Sequence, residues 1–89
     1  MKAIVTVVGK DRVGIIASVC QQLASFNVNV LDISQTVMQG YFTMMMVVDT
    51  SAANLPMAEL VTQLEDKGRE MGLSIRLQRE DIFEAMHRV

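Results

Sequence analysis

The sequence is poor in the residues that carry most enzyme and cofactor chemistry. Its 89 residues include one cysteine, one histidine, no tryptophan, one tyrosine and three phenylalanines. A single Cys20 excludes an intramolecular disulfide and suits a reducing cytosol. It also leaves no Cys-x-x-Cys pair for a soft metal. The carboxylates Asp32, Asp49 and Asp81 fall on separate segments, so neither a metal site nor a cofactor is expected. His87 stands near the C-terminus, and no nucleophile, base and orienting group can be assembled around it, so no catalytic residue is expected. Aromatics are too few for base stacking: Tyr41 and Phe42 lead into Thr-Met-Met-Met. The basic residues are scattered and the net charge is −2, which argues against nucleic acid as a direct partner. No run approaches the ~18 apolar residues of a membrane span, and the start lacks a secretory signal pattern. A cytoplasmic protein with no membrane partner is therefore expected.

What is present in abundance is apolar surface, 51% of residues with a mean hydropathy of +0.30. A chain of this length makes one domain, and such a small domain buries only roughly 60–65% of its unfolded surface. Part of the apolar surplus is expected to lie against a second subunit, most simply in a homodimer.

Hydrophobic periodicity divides the chain into six elements. Residues 3–8 are β-branched and apolar, as in a buried strand. Ile16, Val19, Cys20, Leu23 and Phe26 follow helical spacing, with Asn27 as a left-handed stop. Residues 28–38 form a second strand whose alternation changes phase between Val30 and Leu31, the mark of a β-bulge or of a strand covered on both faces. Gln39-Gly40 is a hairpin turn. In the third strand, 41–49, Phe42, Met44, Met46 and Val48 share one face and Met45 and Val47 lie on the other. Pro56 opens a second helix whose stripe is Met57, Leu60, Val61, Leu64, Gly68 and Met71, and Gly72 ends it. Residues 73–79 alternate with Leu73, Ile75 and Leu77 inward. This order implies an α+β, ferredoxin-like βαββαβ domain over residues 1–80: an antiparallel four-stranded sheet, strands one and three central, both helices on one face. The tail, 81–89, begins with the capping-box spacing Asp81–Glu84 and is expected to start a short helix. The face of the sheet without helices needs cover from a two-fold partner or from this tail.

The segment Gly9-Lys10-Asp11-Arg12-Val13-Gly14-Ile15 joins the first strand to the first helix. Gly9 is expected to stop the strand, Asp11 to cap the helix, and Gly14 to leave room for close approach. A donor-rich turn at a helix N-terminus suits a small polar ligand. The same residues serve equally as a plain capped turn with a solvated Arg12. Of Met44-Met45-Met46, alternation leaves only Met45 as a contact residue.

Three segments together resemble the ACT domain family, and more narrowly its small stand-alone members related to glycine-cleavage regulators. They are residues 7–15 (Val-Val-Gly-Lys-Asp-Arg-Val-Gly-Ile), 28–35 (Val-Asn-Val-Leu-Asp-Ile-Ser-Gln) and 42–48 (Phe-Thr-Met-Met-Met-Val-Val). The resemblance covers residues 3–79. It implies a regulatory module that binds an amino acid or similar metabolite between the first turn of one subunit and strand two of its neighbour. Carried over by position, Asp11, Arg12, Val13, Gly14 and Ile15 would form one wall and Asn29 the other. Val13 departs from the pattern, since the family has proline there, and a stand-alone module with no enzyme or DNA-binding domain attached is expected. The alternative is an assembly module that binds no small ligand and uses Met45, Val47, Phe83 and Met86 as its surface.

Overall fold

The computed structural model describes residues 1–81. Its elements run β1 (Lys2–Lys10), α1 (Ile15–Ser25), β2 (Asn29–Met38), β3 (Tyr41–Asp49), α2 (Met57–Met71) and β4 (Ser74–Arg79). The strands form one sheet in the order β2-β3-β1-β4, antiparallel throughout, with β3 and β1 in the middle. This is the βαββαβ ferredoxin-like arrangement. Glu80 and Asp81 are helical; the expected capping-box partner Glu84 and the rest of the tail lie outside the described residues.

The core is the layer between sheet and helices. Val5 and Val7 of β1, Phe42, Met44, Met46 and Val48 of β3, and Ile75 and Leu77 of β4 meet Ile15, Val19, Leu23, Leu60 and Leu64 from the helices. No polar or charged side chain is buried among the described residues. One correction concerns α1. Ile15, with Val19 and Leu23, is the buried face, whereas Ile16 is partly exposed. The buried row is Ile15, Val19 and Leu23, and Ile16 stands about 100° round the helix from Ile15.

Both helices end alike. The N–H groups of Asn27 and Val28 donate to Ala24 and Leu23 at 2.9 and 3.0 Å, and those of Gly72 and Leu73 donate to Arg69 and Gly68 at 3.3 and 2.8 Å. Each is a Schellman closure, and it requires a left-handed residue, supplied by Asn27 (φ 59) and Gly72 (φ 70). Asn27 adds a side-chain bond from Nδ2 to the Ala52 carbonyl at 2.9 Å, which ties the end of α1 to the loop after β3.

Gln39 and Gly40 both have positive φ, the type I′ geometry that matches strand twist in a two-residue hairpin. The expected phase change in β2 is a bulge. Val30 pairs with Val48 and Asp32 with Val47, leaving Leu31 as the extra residue. Met44 and Met46 are fully buried and Met45 is not, as alternation requires.

Candidate functional site

The β1–α1 turn differs from expectation at two positions. Gly9 does not end β1: Gly9 and Lys10 pair with Phe42 and Tyr41, because β3 is long enough to offer them partners. A Cβ there would run into the Cδ2 methyl of Leu73, so that side chain would have to turn aside to admit it. Nor does Asp11 cap the helix. The N-cap is Gly14 at φ 94, and no side chain bonds to the first turn of α1. A capping Asp must sit in extended geometry immediately before the helix, and here a left-handed glycine occupies that place. The Asp11 N–H instead donates to the Gly40 carbonyl at 2.8 Å, so the turn is buttressed by the β2–β3 hairpin.

Asp11, Arg12, Val13 and Gly14 all lie at the surface, and Val13 is 102% exposed. A Cβ at Gly14 would meet nothing within 4 Å. The left-handed φ is therefore what demands glycine, and the space beside it is open. The side chain of Ile15 is in the core, so only its backbone can face a ligand. The Ser18 N–H donates to Gly14 at 2.9 Å, and the earlier N–H groups of α1 precede any intrahelical acceptor.

Asn29 is exposed at the other end of the sheet. It opens β2, in register with Asp49, whereas Met38 at the far end of that strand is in register with Tyr41, which pairs with Lys10. Nine residue steps at about 3.3 Å put roughly 30 Å between Asn29 and the turn. Within one chain the structure does not bring the two walls together. Asn29 instead borders a shallow depression of about 290 Å³ with Ala24, Asn27, Val28 and Ala52.

Next to Asn29 is a polar corner that the sequence reading treated only as a scattered carboxylate. Asp49 accepts from the Ser51 hydroxyl at 2.6 Å, the Ser51 N–H at 2.9 Å and the N-terminal ammonium at 3.4 Å. Bonding to Ser51, reinforced by the ammonium charge, lowers its pKa from 3.8 to about 2. The Asp-x-Ser spacing after a strand, a local side-chain turn, was the signal available for it.

A second feature missed by sequence reading is the edge formed by β2. Ile33 and Val37 are in register with the buried Met46 and Phe42, so they point to the helix side of the sheet, yet they remain 39% and 54% exposed. The helix layer, which reaches β2 through α1, leaves these two positions uncovered. Leu31 and Ile16 are exposed as well. The apolar surface seeking cover is therefore concentrated along β2, and only partly at Met45 and Val47.

Among the described residues, no three His, Cys, Asp or Glu side chains are grouped to hold a metal ion. Cys20 is half-buried and packs against the core. No helix there is long and apolar enough to cross a membrane.

Comparison with known proteins agrees with this architecture. Residues 2–78 match the profile of the ACT domain. A UPF0237 protein of Bifidobacterium longum is 58% identical over 99% of this chain and 98% of its own length. The solved structure of an ACT domain protein from Streptococcus pneumoniae superposes with a TM-score of 0.83 at 46% identity, covering 98% of both chains. A candidate glycine cleavage system transcriptional repressor superposes at 0.76 with 25% identity, over 86% of this chain and 44% of that one. With the matched profile spanning nearly the whole described fold, the chain belongs to the ACT domain family.

Proposed function

We infer that the protein is a regulatory binding module for an amino acid or a similar small metabolite, that it works in the cytoplasm without catalysis, and that the site is completed by a second copy. The observation that carries this reading is the β2 edge. It is ten residues long and contains one charge, Asp32, with no lysine or proline to discourage pairing. Its helix-side residues Ile33 and Val37 are uncovered.

A two-fold axis through the middle of β2, between Ile33 and Ser34, would pair the edges of two copies antiparallel. Asp32 would then oppose Gln35 and Val30 would oppose Val37, with no like charges facing each other. The same axis would set Asn29 of one copy against Met38 of the other. Met38 is in register with Tyr41, which is in register with Lys10, the residue before Asp11. The symmetry operation thus closes the ~30 Å gap that separates the two walls in a single chain.

In such a site the free N–H groups at the start of α1 would favour an α-carboxylate, and the Asp11 carboxylate would accept from an α-ammonium. The Asn29 amide both donates and accepts, so it serves either end. A ligand held between two copies stabilises the dimer by mass action, and that coupling is the regulatory output.

Titration calorimetry with a panel of common amino acids at millimolar concentration is the test. Binding by at least one is expected. Asn29→Ala should then cost about 1–3 kcal/mol of affinity while light scattering still gives a dimer. Silence across the whole panel would overturn the ligand reading.

A further inference from the structure

The two flanks of α1 differ in chemistry. On the flank toward α2, Ser18, Gln21, Gln22 and Ser25 line a polar groove with Lys67 and Glu70. The Gln22 amide donates there to the Gln63 carbonyl at 3.2 Å. Helix residues advance by about 100° each, so Ile16 stands about 120° round from Gln22 and about 160° from Ser18. Its side chain is therefore on the opposite flank, toward β2, the edge strand that α1 meets. That flank is apolar, and Cys20, one turn further along it, packs against the core.

Val37 stands on the helix side of β2 at the same end of the molecule. It is in register with Phe42, and Phe42 with Gly9, so it lies where β1 runs into the Asp11–Gly14 turn. Ile16 is the second residue of α1, two positions after Gly14. Val13, fully exposed, belongs to the turn itself. Three uncovered apolar side chains thus flank the turn. Of the charged residues at this end, Lys10 follows Gly9, the partner of the buried Phe42, and so alternates to the opposite face of the sheet. Asp11 and Arg12 remain, both at the surface.

We propose that the bound amino acid carries an apolar side chain, received by Val13, Ile16 and Val37. This rests on the reading that a ligand lies between the turn of one copy and β2 of another, and it adds the ligand's class. Under the two-fold of β2, Val30 of the second copy opposes Val37. The same operation brings the second copy's depression of about 290 Å³ to this end, lined by Ala24, Asn27, Val28, Asn29 and Ala52, none of them charged. Both halves of the site therefore offer aliphatic surface and amides. An apolar side chain gains there in proportion to the area it buries. A cationic one gives up hydration, and Asp11 is already committed to the α-ammonium. An acidic one finds Arg12, which makes aspartate the sharpest comparison.

Titration calorimetry on the full chain with leucine, methionine, serine, aspartate and lysine separates the outcomes. Leucine and methionine should bind at least about tenfold more tightly than serine, aspartate or lysine. Ile16→Ser removes apolar surface outside the buried row of Ile15, Val19 and Leu23, so the fold is kept, as circular dichroism should show. It should weaken leucine several-fold and narrow the gap between leucine and serine. Serine, aspartate or lysine binding as tightly as leucine would overturn the apolar assignment and leave the site in place. So would a leucine affinity unchanged by Ile16→Ser. No heat with any of the five would instead remove the site, and the assignment with it.

Discussion

Replacing Gly68 by alanine sets two physical effects against each other, and the structure decides which wins. Gly68 lies inside α2, where helix propensity alone would make alanine more stable by about 1 kcal/mol. A Cβ at this position, however, would stand 2.8 Å from the carbonyl oxygen of Leu73 and 3.1 and 3.2 Å from Cγ1 and N of Ile75. Two of the three atoms belong to the backbone of the segment entering β4 and cannot rotate away. The Gly68 carbonyl also accepts the Leu73 N–H at 2.8 Å, so moving the helix outward stretches the bond that closes it. Overpacking of this kind costs about 1–3 kcal/mol, and here it comes from backbone, at the upper end of that range. The net is a loss of about 1–2 kcal/mol, or roughly 5–15 °C in Tm for a domain of this size. Urea denaturation followed by circular dichroism should show a lower midpoint with an unchanged slope. Gly72→Ala is the control: its Cβ would meet nothing within 4 Å, and only the left-handed φ of 70 penalises it. A Gly68→Ala protein more stable than wild type would refute the close packing of α2 on β4.

Ile15→Ala should cost about 2–4 kcal/mol in the same denaturation assay, because the side chain is buried in the core and leaves a cavity behind it. Val37→Asp should leave the monomer folded and shift sedimentation toward the monomer, since it puts a charge into the proposed edge pairing opposite Val30. Acid unfolding should respond to Asp49. Its pKa is lowered on folding, so its contribution is complete above about pH 4 and is lost as pH falls through about 2. Asp49→Asn should therefore flatten the pH dependence of stability between about pH 4 and 2 and leave its shape near neutrality unchanged.

Most of the fold was legible in local pattern. Alternation in β3, the stripe of α2, the Gln39-Gly40 turn and the phase change after Val30 are properties of a few consecutive residues, and the structure has each of them where periodicity places it, the phase change resolving as a bulge rather than as a strand covered on both faces. The turn before α1 was legible in outline only. Whether Asp11 or Gly14 caps the helix depends on how far β1 continues, and that is decided by the length of β3, thirty residues away in sequence. Gly9 likewise lies against the Leu73 side chain, a contact across the fold that no local window contains.

What the sequence determined by itself is the order and type of the six elements, because periodicities of 3.6 and 2 sort side chains to one face of each element without reference to its neighbours. Only the tertiary structure decided which apolar residues stay uncovered, since that depends on how far the helix layer extends over the sheet. It leaves the later part of β2 uncovered, and so Ile33 and Val37, inward by alternation, remain at the surface. The same packing put Asn29 and the Asp11 turn at opposite ends of the sheet, a separation set by the register of whole strands rather than by any residue along them.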